Sequence, residues 1–307
     1  MTWRILIADK LDPAGVAILQ DEAELAPSGL EDALGKIDAV IVRSRTRISR
    51  EIIERGLPRL TVIGRAGVGV DNIDLGAAEE HGVIVLNAPL ATSISVAEHT
   101  MALMLALARR LPQADASMRR GEWEKSRFIG TELSGKTLGL VGIGHIGALV
   151  AERAAAFGMK ILAFDPILTP EAITSRGAES VEFESLLGQS DVISLHVPLT
   201  NETANLIGKH ALEQLRPGAW VICTSRGGII DENALLDALE SGQVAGAALD
   251  VFEHEPPRAS RLIERTNVVF TPHIAGQTHE AQARVAEDIA TEVLAALQGE
   301  KLRWRVI

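Results

Sequence analysis

Leu138–Val141 is a short apolar run followed by Gly142-Ile143-Gly144-His145-Ile146-Gly147 and then by a helical pattern over Ile146–Phe157. A strand that enters a helix through three glycines at this spacing makes a very tight turn. It needs a parallel neighbour strand to receive the returning chain. The first glycine permits the turn, the second clears backbone for an anionic group, and the third lets helix and strand pack closely. The next strand, Lys160–Phe164, ends in Asp165, 18 residues after Gly147. An acid there accepts hydrogen bonds from ribose hydroxyls and repels a 2′-phosphate, so the expected ligand is NAD rather than NADP.

The alternation continues on both sides of this unit. Further strands are expected at Val192–Leu195, Ala219–Cys223, Ala247–Leu249 and Val268–Phe270, completing a six-stranded doubly wound sheet. Asp231 and Gly242 bracket a helix over Glu232–Ser241. Earlier, Arg4–Ala8, Ala39–Val42, Thr61–Gly64 and Val83–Leu86 read as strands, with helices at Pro13–Gln20 and Ser49–Arg55. A long, mostly apolar helix is expected from Ser95 to Arg109, with Ser95 and Glu98 at capping-box spacing. A periodic helix over Thr278–Leu297 closes the chain.

Composition removes several classes. The 307 residues carry a net charge of −11, which argues against a general nucleic-acid binder. Apolar runs are too short to span a bilayer, and the start lacks a secretory pattern. The single cysteine, Cys223, precludes an intrachain disulfide and suits a cytoplasmic location. With no tyrosine and one cysteine, neither a Tyr/Lys proton relay nor a Cys-rich zinc site is available, and no metal site is expected. Histidine is then the leading candidate for moving a proton.

Three polar residues follow strand ends in the second unit: Arg226, Glu255 and His273. Ligands of open α/β sheets bind beyond the carboxyl ends of the strands, which makes these residues neighbours despite their separation. His273 suits proton transfer, Glu255 would favour its charged form, and Arg226 suits a bidentate grip on a carboxylate. His196 also ends a strand and is the main competing histidine; His254, beside Glu255, is expected to face solvent.

Further segments carry a resemblance: Gly64–Asn72, Gly130–Leu133, Gly135–Thr137, Thr224–Gly228, Ala247–Phe252 and Pro272-His273-Ile274. With these motifs the chain resembles, over nearly its whole length, the D-isomer-specific 2-hydroxyacid dehydrogenases. Within that family it is most similar to the branch that oxidises 3-phospho-D-glycerate. The resemblance implies two doubly wound α/β domains. A Rossmann NAD-binding domain (89–276) is inserted into a smaller flavodoxin-like substrate domain (1–88 and 277–307). It implies Arg226, Glu255 and His273 as the catalytic set. The implied cofactor residues are Gly142, Gly144, His145, Ile146, Gly147, Asp165, Val68, Val197, Thr224, Ser225, Arg226, Asp250, His273 and Gly276. The implied substrate residues are Arg43, Arg65, Gly67, Val68, Asn87, Arg226 and His273. The substrate implied is a small 2-hydroxy acid, phosphorylated in this branch's manner, and the Trp123 region would face a second copy in a homodimer.

Some positions depart from the family pattern. His145 stands where arginine is usual, which weakens the positive charge at the glycine turn. Leu90-Ala91-Thr92 and Ile274-Ala275-Gly276-Gln277 also differ from the usual segments. A chain ending at Ile307 without a serine-sensing domain is expected to escape serine feedback. Two other readings remain open. One is a reductase of another 2-keto acid, of the glyoxylate, hydroxypyruvate or D-lactate type. The other is an NADH-sensing protein of the corepressor type, which shares the fold and the catalytic set.

Overall fold

The computed structural model describes residues 2–27, 29–258 and 260–307. It divides into two units, Met1–Ser93 with Gly276–Ile307, and Ile94–Ala275. In the first, strands β1 (Trp3–Ile7), β2 (Ala23–Leu25), β3 (Ala39–Val42), β4 (Val62–Arg65) and β5 (Ile84–Asn87) form a parallel sheet ordered β2-β1-β3-β4-β5. This is the flavodoxin-like order. All four residues of β3 are buried, because helices cover both faces of a parallel sheet and no position is left for a polar side chain. The helix His279–Gln298, capped by the Thr278 hydroxyl on the Ala281 amide, buries Val285, Ala286, Ile289, Ala290 and Val293 in this unit's core. Their three- and four-residue spacing is that of one helix face.

The second unit carries β6 (Thr137–Val141), β7 (Lys160–Phe164), β8 (Glu179–Ser180), β9 (Val192–Leu195), β10 (Ala219–Cys223), β11 (Val244–Leu249) and β12 (Val268–Phe270). All pair in parallel, in the order β12-β11-β10-β9-β6-β7-β8. The order reverses between β6 and β9, which makes that point the switch where dinucleotides bind in doubly wound sheets. Every carboxyl end therefore lies on one edge.

The sheet has seven strands where the sequence predicts six. The extra one, β8, is two polar residues long and has no apolar alternation to announce it. The three-residue β2 was likewise unsignalled. β11 starts three residues early, at Val244, where an exposed Ala245 and a glycine at 246 leave no apolar run to announce the strand. The long helix begins at Ser93 rather than Ser95. Ser95 thus lies inside the first turn, and its spacing to Glu98 does not mark the helix start.

Candidate active site

The glycine turn leaves β6 at Val141, and its three glycines meet different surroundings. Gly142 has φ +87°, and a β-carbon there would stand 2.8 Å from the His196 carbonyl oxygen. Gly147 packs against the Gly142 carbonyl so closely that no β-carbon fits. Gly144 has nothing within 4 Å of its β-carbon position. That open face, at the N-cap of the helix His145–Ala156, is where an anion can approach free amides and the positive end of the helix dipole. The turn therefore fits a dinucleotide pyrophosphate. His145 is exposed at the first helical position, and Ile146 follows it half-buried.

Asp165 follows β7, and its carboxylate is already engaged. One oxygen accepts from the Ile143 amide (3.0 Å), the other from the amides of Ile167 (3.0 Å) and Leu168 (3.3 Å). A carboxylate has about four acceptor positions, so capacity remains for a ribose hydroxyl. Arg176 completes this corner, donating to the Ile143 carbonyl at 2.5 Å. Both polar groups of Ile143 are thus held by side chains from beyond β7. Sequence reading missed Arg176, which carries no motif and lies 33 residues from its partner.

His196 and Val197 follow β9 and lie against Gly142. Burial of its ring pushes His196 down to about 4, although part of the residue's surface is open. Its Nε2 lies 2.9 Å from the Ser194 hydroxyl. Neutral near pH 7 and tied to its own strand, it is a poor proton carrier. His254 is exposed.

Beyond β10, Thr224 is buried and Ser225 and Arg226 are half-buried. Arg226 donates to the Ser225 carbonyl at 2.7 Å. Next to it, Gly227 meets the Phe252 carbonyl so closely that any side chain would collide. This contact draws the Arg226 loop against the loop that bears Glu255. Cys223 lies beneath, 3.6 Å from the Arg226 carbonyl oxygen, and burial pushes its thiol up.

Glu255 and His273 face each other. His273 Nδ1 is 2.8 Å from Glu255 Oε2 and 3.1 Å from Oε1, and Oε1 also accepts from the Phe252 amide at 3.3 Å. Burial raises the Glu255 carboxyl, but the His273 hydrogen bond and charge and the Phe252 amide outweigh it, leaving the group below its ordinary value. An ionised carboxylate only accepts, so Nδ1 carries the proton and Nε2 is the free basic atom.

Asp250, at the end of β11, is completely buried. Its carboxylate accepts from Thr271 Oγ1 (2.6 Å) and from the amides of Ile274 (2.8 Å) and Ala275 (2.9 Å). Burial raises this carboxyl too, but the donors, with His99 first among them, bring it below its ordinary value.

In the other unit, Arg43, Arg65 and Asn87 stand at the carboxyl ends of β3, β4 and β5. The Asp9 carboxylate holds the Arg43 amide (2.6 Å) and the Thr46 amide and hydroxyl (3.3 and 2.9 Å). Asn72 donates to the Arg43 and Thr46 carbonyls at 2.7 and 2.6 Å. Arg43 is thus mounted on a braced loop, a bracing that sequence reading did not foresee. Asn87 donates to the Val68 carbonyl at 2.7 Å, and Gly67 (φ +146°) lies under the Arg65 guanidinium. Gly276 accepts from the Gln282 amide at 2.8 Å. Among the described residues, no group of three or more metal-ligating side chains occurs.

Residues 101–275 match the family described as D-isomer specific 2-hydroxyacid dehydrogenase, NAD binding domain. The chain is 45% identical over 309 residues to a D-3-phosphoglycerate dehydrogenase of Synechocystis sp., covering 99% of this chain and 56% of that protein. It is 48% identical over 304 residues to a D-3-phosphoglycerate dehydrogenase of Methanocaldococcus jannaschii, covering 97% and 58%. The chain therefore spans somewhat more than half the length of these curated relatives. Among solved structures, a glyoxylate reductase from Paecilomyes thermophila superposes with a TM-score of 0.90 at 31% identity, covering 99% of this chain and 98% of that one. A D-lactate dehydrogenase from Aquifex aeolicus, complexed with NAD and lactic acid, gives 0.85 at 31%, covering 97% and 96%. The chain belongs to the D-isomer-specific 2-hydroxyacid dehydrogenase family, and Ile94–Ala275 is its NAD-binding unit.

Proposed function

We propose that this chain oxidises 3-phospho-D-glycerate to 3-phosphohydroxypyruvate, the entry to L-serine synthesis. The observation that carries the dehydrogenase reading is the 2.8 Å contact between Glu255 and His273 Nδ1, which leaves Nε2 to take a hydroxyl proton. NAD, when bound, supplies the hydride acceptor. The Gly142–Gly147 turn and Asp165 hold it at the pyrophosphate and ribose, with Val68, Val197, Thr224, Ser225, Asp250 and Gly276 around the remainder. Arg226 grips the substrate carboxylate and orients the carbon that loses hydride. The hydroxyl proton passes to His273 Nε2, and the imidazolium so formed is stabilised by Glu255. Arg43 and Arg65 take the phosphate, with Gly67 and Asn87 beside them.

The choice of a phosphorylated acid rests on the relatives at 45–48% identity and on the braced Arg43 loop. We propose a homodimer in which exposed Trp123 and Ile129 meet a second copy. The buried, solitary thiol supports a cytoplasmic setting. No helix among the described residues is long and apolar enough to cross a membrane.

A substrate panel tests the reading. kcat/KM should be highest for 3-phosphoglycerate or its keto acid, and replacing Arg43 or Arg65 with alanine should cost phosphorylated substrates at least tenfold more than glyoxylate or D-lactate. Equal losses on all acids would remove the arginines from the phosphate site. A higher kcat/KM for glyoxylate, hydroxypyruvate or D-lactate would replace the substrate. NADH binding with no turnover of any acid would favour a sensing protein.

A further inference from the structure

His273 has φ +53°, in the left-handed region that a side chain larger than glycine enters only when its surroundings hold it there. Its amide donates to the Asp250 carbonyl at 2.8 Å, and the next two amides, of Ile274 and Ala275, donate to the Asp250 carboxylate at 2.8 and 2.9 Å. Asp250 thus binds three successive amides of the loop that presents His273.

A further chain of hydrogen bonds leads away from Asp250. Thr271 Oγ1 is 2.6 Å from Asp250 Oδ1, and His99 Nε2 is 3.0 Å from Thr271 Oγ1. The directions are fixed by proton count. The Asp250 carboxylate only accepts, so the one hydroxyl proton of Thr271 goes to it. Thr271 must then accept from His99, which places a proton on His99 Nε2. The same Nε2 lies 3.6 Å from Asp250 Oδ1, close enough for its N–H dipole to favour the carboxylate charge. His99 is held by the helix Ser93–Arg109, whose apolar residues Ala97, Met101 and Met104 are built into this unit's core. The next residue repeats the arrangement. Thr100 donates to the Val96 carbonyl at 2.8 Å and so accepts from the buried Thr224 hydroxyl at 3.0 Å, bracing the segment that carries Arg226.

We propose that His99 is a positioning residue for His273, fixing the 273–275 loop through the relay His99 Nε2–H to Thr271 Oγ1–H to Asp250. It touches no reacting atom. It keeps Asp250 supplied with a polarised donor at Oδ1, so the carboxylate stays aimed at the Ile274 and Ala275 amides while the Asp250 carbonyl holds the amide of His273. The proposal rests on the reading of His273 as the acid/base.

The test uses the full chain and the variants His99→Leu and His99→Gln. Glutamine retains an N–H donor; leucine does not. Amide hydrogen exchange over 271–276, with no substrate present, should quicken at least tenfold in His99→Leu and stay near wild type in His99→Gln. The turnover number should fall about ten- to a hundredfold in the leucine variant, the cost of a sub-ångström to 1 Å misplacement. Glutamine should recover most of that loss. NADH affinity, read by fluorescence titration, should change less than twofold in both. Should His99→Leu fail to fold, Thr271→Val breaks the same relay without changing side-chain shape, and the same exchange and turnover losses are expected. Wild-type exchange in either relay-breaking variant, or equal losses in leucine and glutamine variants, would overturn the proposal. The exchange measurement needs no turnover, so a chain that oxidises no hydroxy acid would overturn the proposed function while the role of His99 is still decided.

Discussion

At the scale of single residues, the proposed chemistry places its acid/base, His273, in a backbone region that costs about 1–3 kcal/mol to hold. The buried Asp250 and its donors supply that restraint. Replacing His273 with alanine should lower kcat by about 10²–10⁴ while leaving the NADH dissociation constant within twofold; full activity would exclude it as the acid/base. Glu255→Gln keeps an acceptor near Nδ1 but removes the charge. A hydrogen bond to a charged group is worth about 1–1.5 kcal/mol more than a neutral one, so kcat should fall about tenfold, with activity restored by no change in NAD concentration. That Arg226, Glu255 and His273 lie beyond strand ends, with Glu255 against His273, was legible because each follows an apolar strand run, and the role proposed for them rests on that placement. His99 was not. It sits in a helix that reads as plain core, and its partner Thr271 lies 172 residues on.

At the scale of elements, strand–turn–helix units were read almost to the residue where apolar runs were long. They were missed where pairing alone makes the strand, as in β2 and β8. The glycine turn shows what sequence spacing leaves out. Its glycines were readable, but the pinning of Ile143 by Asp165 and Arg176 depends on a neighbouring strand and on a helix of only six residues. Arg176 also places a permanent cation by the turn where His145 provides none. Removing it as Arg176→Leu deletes one hydrogen bond, worth about 0.5–1.5 kcal/mol. NADH should then bind about three- to tenfold more weakly, with kcat at saturating cofactor within twofold of wild type. Unchanged affinity in a fluorescence titration would show that the turn stands without this support.

For the molecule as a whole, the ionisable groups set a pH profile for stability. His196 is held down to about 4 in the fold and returns to about 6.5 on unfolding. The unfolded chain therefore binds the proton more tightly. Stability is complete above about pH 6.5 and declines until about pH 4, by about 3 kcal/mol at most. The carboxyls of Asp250 and Glu292 are depressed in the fold. Their share is present above the ordinary carboxylate range and is lost only below about pH 4. Thermal melts should thus show a first fall in Tm between pH 6.5 and 4 that is flattened in His196→Asn, and a second fall at lower pH that is not. A variant with the wild-type slope would place the first fall elsewhere. The one thiol of the chain has a practical bearing on such work. Cys223 is shielded beneath the Arg226 loop and resists deprotonation. The native protein should therefore be silent toward maleimides and related labels, and a cysteine introduced at a surface position should give a single-site attachment point for a fluorophore or spin probe without first removing a native one.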